Sequence, residues 1–134
     1  MAWSSSTRGR SMILLDTNAL IWLHHNHARA AALARLGRRL YASPASVLEL
    51  QILFEAGRLE LRGESSVAHM IRDERWVVDD PPSMLWFEEA ITIGWTRDTY
   101  DRLLVAHARL RRWRLATSDQ RVITHLRAGE YLEL

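Results

Sequence analysis

Met12-Ile-Leu-Leu-Asp16-Thr-Asn18 is the stretch on which the fold turns. Four consecutive apolar residues that stop at a carboxylate are the pattern of a short strand buried on both faces, with its carboxyl end at solvent. Such a strand sits inside a parallel sheet, because parallel neighbours are joined by crossover helices that cover both faces. Thr17 and Asn18 then supply cap chemistry for a helix over 19–23.

The rest of the chain continues the alternation. A helix over 28–36 stops at Gly37, and Leu40-Tyr-Ala42 is a brief strand. Ser43-Pro44 offers an N-cap followed by proline at the first helical position, which predicts a helix over 44–56 ending at Gly57. A helix over 65–72, a strand at Trp76-Val-Val78 and a helix opening after Pro81-Pro82-Ser83 and running to about residue 93 follow. The clearest helix spans 98–112, where Leu103, Leu104, Ala106, His107 and Leu110 recur at helical spacing with arginines opposite. Arg114-Leu-Ala-Thr117 is a strand, 119–127 a short helix and Tyr131-Leu-Glu-Leu134 a final strand. Alternation of this kind predicts an α/β domain, a mainly parallel sheet covered by helices on both faces. Residues 1–11 read as a polar, serine-rich extension, and 12–134 as a single domain.

Composition narrows the chemistry. With 48% hydrophobic and 25% charged residues the chain has enough apolar surface to fold throughout. Cysteine is absent, which excludes disulfides, thiolate nucleophiles and sulfur-ligated zinc, so any bound metal sits among oxygen or imidazole ligands. No apolar run approaches the ~20 residues of a membrane helix and the start is too polar for a secretory leader, so a cytoplasmic protein without membrane contact is expected. All 18 basic residues are arginine. Arginine suits bidentate phosphate contacts and permits a polyanionic partner, although a GC-rich genome produces the same usage.

Four acids fall where the strands end. Asp16 closes the first strand, Asp119 follows the strand ending at Thr117, and Asp101 lies in the first turn of its helix. Glu49 stands about one and a half turns into a helix entered from the second strand, so its side chain can return to the same edge. In open parallel sheets ligands bind at the carboxyl ends of the strands. Each acid also has an ordinary reading: Asp16 and Asp119 as helix caps, Glu49 as a solvated helix residue, Asp101 as a complement to the helix dipole, and Asp98 as the cap of the 98–112 helix. As a set they are more informative. Carboxylates within ~5 Å repel by roughly 3 kcal/mol per pair at an effective dielectric of 20, and a divalent cation resolves the conflict. An all-oxygen site selects magnesium, manganese or calcium.

The motifs that hold these acids resemble those of PIN-domain ribonucleases, and within that family those of VapC-type toxins of toxin–antitoxin pairs. Ile13-Leu-Leu-Asp16-Thr-Asn18-Ala-Leu resembles the first motif, and Ser43-Pro-Ala-Ser-Val-Leu-Glu49-Leu the second. Asp98-Thr-Tyr-Asp101-Arg-Leu-Leu-Val-Ala-His-Ala108 resembles the third, and Leu115-Ala-Thr-Ser-Asp119 the fourth. Thr99 departs from a frequent proline and Ser118 from a frequent arginine, which touches substrate contacts rather than metal binding. The resemblance implies a three-layer α/β/α sandwich and a magnesium- or manganese-dependent endoribonuclease that leaves a 5′-phosphate and a 3′-hydroxyl. It implies Asp16, Glu49, Asp101 and Asp119 as the catalytic, metal-binding set, with Asn18 and Thr117 as polar supports and Asp98 as a secondary candidate. Asp16 and Asp101 would bind the principal ion directly, and Asp119 and Glu49 through water or around a second ion. It also implies an RNA substrate, a homodimer, a cognate antitoxin and contact with DNA only through that antitoxin.

Other side chains receive lesser roles. Arg102 and Arg121 are candidates for gripping flanking phosphates. Leu20, Ile21, Trp22, Leu23, Val47, Leu48, Ile52, Leu53 and Phe54 are either core or a groove for a partner helix. His24, His25 and His27 fall in a loop-like stretch without a triad pattern, and His107 lies on an apolar face, as a core histidine would. Receiver and haloacid-dehalogenase-type phosphatases also gather aspartates at strand ends but use a lysine, which this chain lacks. The alternative from another class is a catalytically silent PIN-like module that binds RNA or protein without cutting.

Overall fold

The computed structural model describes residues 12–35, 39–63 and 66–134. Five strands, β1 (Met12–Leu15), β2 (Arg39–Ala42), β3 (Val77–Val78), β4 (Arg114–Thr117) and β5 (Tyr131–Glu133), form one sheet in the order β3-β2-β1-β4-β5. Every pairing is parallel, with Leu14 opposite Tyr41 on one side and Leu115 on the other. The strand opened by Met12 is thus central, as its unbroken apolar run requires: Ile13, Leu14 and Leu15 are all at 0% exposure.

Helices α1 (Thr17–His24), α2 (Ala31–Arg35), α3 (Pro44–Glu55), α4 (Val67–Met70), α5 (Ser83–Ile91), α6 (Thr99–Arg111) and α7 (Gln120–Ile123) connect the strands. The period-2 alternation of β1 divides the core between two faces. Ile13 and Leu15 pack with Leu20, Leu23, Leu33, Leu50 and Met70, on the side of α1 to α4. Leu14 and Leu115 pack with Trp86, Ala90, Leu104 and Val105, on the side of α5 and α6. Trp86 fastens these last two helices by donating its indole N–H to the Leu103 carbonyl at 2.8 Å. The result is a three-layer α/β/α sandwich with an all-parallel sheet.

Several predicted boundaries move. The helix expected over 65–72 is one turn, Val67–Met70, capped by Ser66, with Ser65 outside the described residues. The helix expected to run to about residue 93 stops at Ile91, because Thr92 turns its hydroxyl onto the Glu89 carbonyl at 2.7 Å. The helix expected over 119–127 is the single turn of α7, followed by a 3-10 turn at Ala128–Glu130 closed by Arg127 N–H donating to Glu130 at 3.0 Å. The 28–36 helix begins as a 3-10 turn at Ala28–Ala30, and Leu36 and Gly37 lie outside the described residues, as do 1–11. His24 is not in a loop: it ends α1, buried, and its Nε2 accepts the Arg62 N–H at 3.0 Å. No described helix is long and apolar enough to cross a membrane.

Candidate functional site

The chain leaves β1 in one direction, toward β2 and β3, and later returns on the other side of β1 as β4. The crevice at the carboxyl ends of β1 and β4 is therefore the switch point at which α/β sheets hold ligands. A cavity of about 320 Å³ opens there, and Asp16, Asn18, Glu49, Asp98, Asp101, Thr117 and Asp119 all line it. These are the seven residues singled out from the sequence.

Local chemistry fixes each of them. Asp16 ends β1, donates its backbone N–H to the Ala116 carbonyl at 3.1 Å and accepts the Ala19 N–H on Oδ1 at 2.7 Å, so it is the cap of α1 as well as a wall of the cavity. Asp119 does the same for α7, accepting the Arg121 N–H at 2.9 Å. Thr117 joins the two acids: its Oγ1 accepts the Asp119 N–H at 3.1 Å, and its hydroxyl bonds the Asp16 carboxylate. Asp98 caps α6 through the N–H groups of Tyr100 and Asp101, at 2.9 and 3.0 Å, and so sets Asp101 in the first turn. Glu49 reaches the cavity from α3, where the Thr17 hydroxyl donates to it while standing 3.0 Å from Ser46 Oγ.

The carboxylates feel one another. Burial, reinforced by Glu49 and Asp119, pushes Asp16 up to about 6 from an ordinary 3.8. Burial, reinforced by Asp98, Asp119 and Glu49, pushes Asp101 up to about 6 as well. Glu49 is raised by burial against the opposing hydrogen bond from Thr17. Asp119 goes the other way, held low by hydrogen bonds from the Arg121 guanidinium, Nη2 to Oδ2 at 3.0 Å and Nε to Oδ1 at 3.3 Å.

Among the described residues no three aspartate, glutamate or histidine side chains stand in a metal-holding arrangement. Hydrogen bonds within the chain engage these acids: Glu49 turns to Thr17, Asp119 to Arg121, and one oxygen of Asp16 to α1. The donor set is nonetheless all oxygen, and Asp16 and Asp101 are raised by burial first and by neighbouring carboxylates second, both of which a divalent cation would offset. The chemistry of the residues fits such an ion.

One of two expectations about the rim changes. Arg121 lines the cavity, with a side chain 85% exposed. Arg102 does not line it: Nε donates to the Thr96 carbonyl at 2.8 Å and fastens the loop before α6. Two polar lining residues are not among those the sequence singles out for the site, Arg58 and Thr17. Gly57, at φ +72, turns the chain after α3 and brings Arg58 to the cavity; a glycine stop followed by an arginine was the available signal. The sequence offers Thr17 as cap chemistry, and its hydroxyl serves Glu49.

Solved structures share this architecture. A chain of a toxin–antitoxin complex from Klebsiella pneumoniae aligns with a TM-score of 0.66 at 16% identity, over 91% of this chain and 99% of that one. A chain of VapBC2 from Rickettsia felis, solved bound to a DNA fragment from their promoter, aligns with a TM-score of 0.62 at 17% identity, over 91% and 97%. At those identities the likeness is one of fold. No curated protein matches in sequence. The sequence pattern of the PIN domain matches residues 13–128, a span that contains every acid of the cavity, and the chain belongs to the PIN domain family.

Proposed function

We propose that this chain is a divalent-metal-dependent endoribonuclease and the toxin of a toxin–antitoxin pair. The observation that carries the reading is the meeting of Asp16, Glu49, Asp101 and Asp119 in one cavity, with Asp16 and Asp101 both pushed up to about 6. Asp16 and Asp101 would hold a magnesium or manganese ion directly, with Asp119 and Glu49 reaching it through water or serving a second ion. Such an ion supplies Lewis-acid activation of water and offsets the charge that develops on a phosphodiester under attack. The chain's own groups do the positioning. Thr117 orients Asp16, Thr17 orients Glu49, and the Asp98 cap fixes the turn that presents Asp101. Leu104, Val105 and Leu115 form an apolar floor that lowers the local dielectric. Arg58 and Arg121 at the rim offer guanidinium groups to flanking phosphates.

Partner assignments rest on surface chemistry and on the neighbours. Both similar structures are of toxin–antitoxin complexes or of a VapBC assembly, which supports a cognate antitoxin here. Leu48, Ile52 and Phe54 on α3 are exposed, with Ile21, Trp22, Val47 and Leu53 half-buried behind them, a surface suited to an amphipathic segment. Leu20 and Leu23 belong to the core. Met84, Phe87 and Ile91, exposed at one helical face of α5, suit a second copy of the chain. DNA would be reached only through the antitoxin, as the promoter-bound Rickettsia felis assembly suggests by analogy. A cytoplasmic setting goes with that role.

The test is hydrolysis of a panel of structured and unstructured RNAs by purified protein with magnesium, with manganese and with EDTA. Metal-dependent cleavage that is lost in both Asp16→Asn and Asp101→Asn, with the fold kept, is the expected result. Cleavage that survives both substitutions defeats the site assignment, and RNA retarded but intact would make the chain a silent binding module.

A further inference from the structure

Trp95 and His125 stack face to face, with ring centroids 4.3 Å apart and planes 5° from parallel. Trp95 comes from the loop that ends at Asp98, and His125 from the turn after α7, the helix whose Arg121 and Val122 line the acidic cavity. Trp95 stands three residues before Asp98, and His125 stands four after Arg121 and six after Asp119. Asp98, Asp119 and Arg121 all line the cavity. Three residues of chain span at most about 11 Å, so the backbone at Trp95 stays close to that of Asp98 on the cavity wall.

The stack has an inside and an outside. Trp95 is half-buried and packs on the core formed with Leu14, Leu104 and Leu126, while His125 is exposed. The imidazole is thus the outer ring, braced from behind by an indole that the core holds. Arg97, two residues beyond Trp95, and Arg121, four before His125, are both exposed and add positive charge to the segments that carry the rings. A flat outer ring braced from behind, with guanidinium groups beside it, is the arrangement that holds single-stranded nucleic acid, because every base has a π-face.

We propose that the Trp95–His125 stack is a platform for an unpaired RNA base next to the scissile phosphate, which rests on the RNA-cleaving reading above. A duplex hides its base faces, so the platform selects loops and single strands. His125 is then a substrate-positioning residue, and Trp95 acts through it.

The experiment is a binding cycle in the Asp16→Asn background with magnesium, using the single-stranded RNA from the panel that wild type binds most tightly and versions of it with one abasic position each. Base stacking contributes roughly 5- to 150-fold in affinity. Adding His125→Ala is expected to weaken binding about tenfold, and one abasic position is expected to weaken the background protein by a similar factor. The two losses should not multiply, because they remove two sides of one contact. His125→Trp should restore affinity, which a mere clip between loops would not do. Multiplying losses at every position, or no loss with His125→Ala, overturns the platform. If wild type meanwhile cleaves, the ribonuclease reading stands without it. A non-multiplying cycle in a wild type that binds but never cleaves keeps the platform and removes the nuclease, and failure to bind any RNA overturns both.

Discussion

Nδ1 of His107 stands 2.9 Å from Oγ of Ser43, the residue that caps α3, and so a buried imidazole ties the helix carrying Asp101 to the helix carrying Glu49. On its other side Nε2 lies 2.7 Å from Asp79 Oδ2. A carboxylate only accepts, so Nε2 carries the proton and Nδ1 receives the Ser43 hydroxyl. Burial holds the imidazole below its ordinary range, which keeps it neutral at pH 7. Arg111 completes the network by donating to Asp79 at 2.8 Å.

His107→Leu therefore removes a donor and an acceptor at a position with 0% exposure. The Ser43 hydroxyl loses its acceptor and Asp79 Oδ2 is left with Arg111 alone, at an expected cost of about 1–3 kcal/mol. Urea denaturation should show a lower midpoint with an unchanged slope. An unchanged midpoint would mean that the network contributes nothing to stability.

Thr17→Val is nearly equal in volume and removes only the hydroxyl shared by Ser46 and Glu49. The Thr17 hydrogen bond opposes the burial that raises Glu49, so its loss raises Glu49 further. The acidic limb of the cleavage profile should move to higher pH, with stability lower by about 1–2 kcal/mol. Thr17→Ser should restore both; a valine variant with the wild-type pH profile would show that Glu49 needs no partner.

The fold was legible because β1 is buried on both faces and reads as an unbroken apolar run, and because Ser43-Pro44 and Asp98 mark helix starts by side-chain chemistry. Asp16, Asp101 and Asp119 were legible for a related reason: each is a helix cap or stands in a first turn, where local sequence decides the backbone. What escaped depends on contacts across the fold. Thr17 is 32 positions from Glu49, and His107 is 64 from Ser43, distances over which no periodicity carries a signal. The end of α7 escaped because a single helical turn leaves no repeat to detect. The contact of Arg102 with the Thr96 carbonyl was not legible either, because position beside Asp101 says nothing of where a long side chain turns.

Arg121 competes for the carboxylate of Asp119, to which it is bound by two contacts, and opposes the rise of Asp101. Arg121→Ala removes a positive charge from the cavity rim, so manganese affinity measured by calorimetry should tighten several-fold at low salt, and less at high salt as screening grows. Because the side chain is 85% exposed, the melting temperature should hardly change. Weaker manganese binding would instead make Arg121 an organiser of the ion site.

Asp16 supplies the sharpest test because its two roles pull in opposite directions. Its carboxyl is pushed up to about 6 in the fold from an ordinary 3.8, so the folded state holds that proton more tightly than the unfolded chain does. Stability from this group is therefore present at low pH, falls as pH rises between about 4 and 6, and stays lost above that window. The loss amounts to at most roughly 3 kcal/mol. Asparagine caps a helix as well as aspartate and keeps an acceptor for the Ala19 N–H, but it never ionises. In EDTA, Asp16→Asn should be more stable than wild type at pH 7.5, and the advantage should vanish near pH 4. Magnesium should then stabilise wild type and leave the variant almost unmoved. Taking the variant against wild type at each pH cancels the titration of other groups, His107 included. A variant less stable than wild type at pH 7.5 without metal would mean that the Asp16 carboxylate is satisfied by hydrogen bonds from its own chain, and that the cavity does not call for a cation.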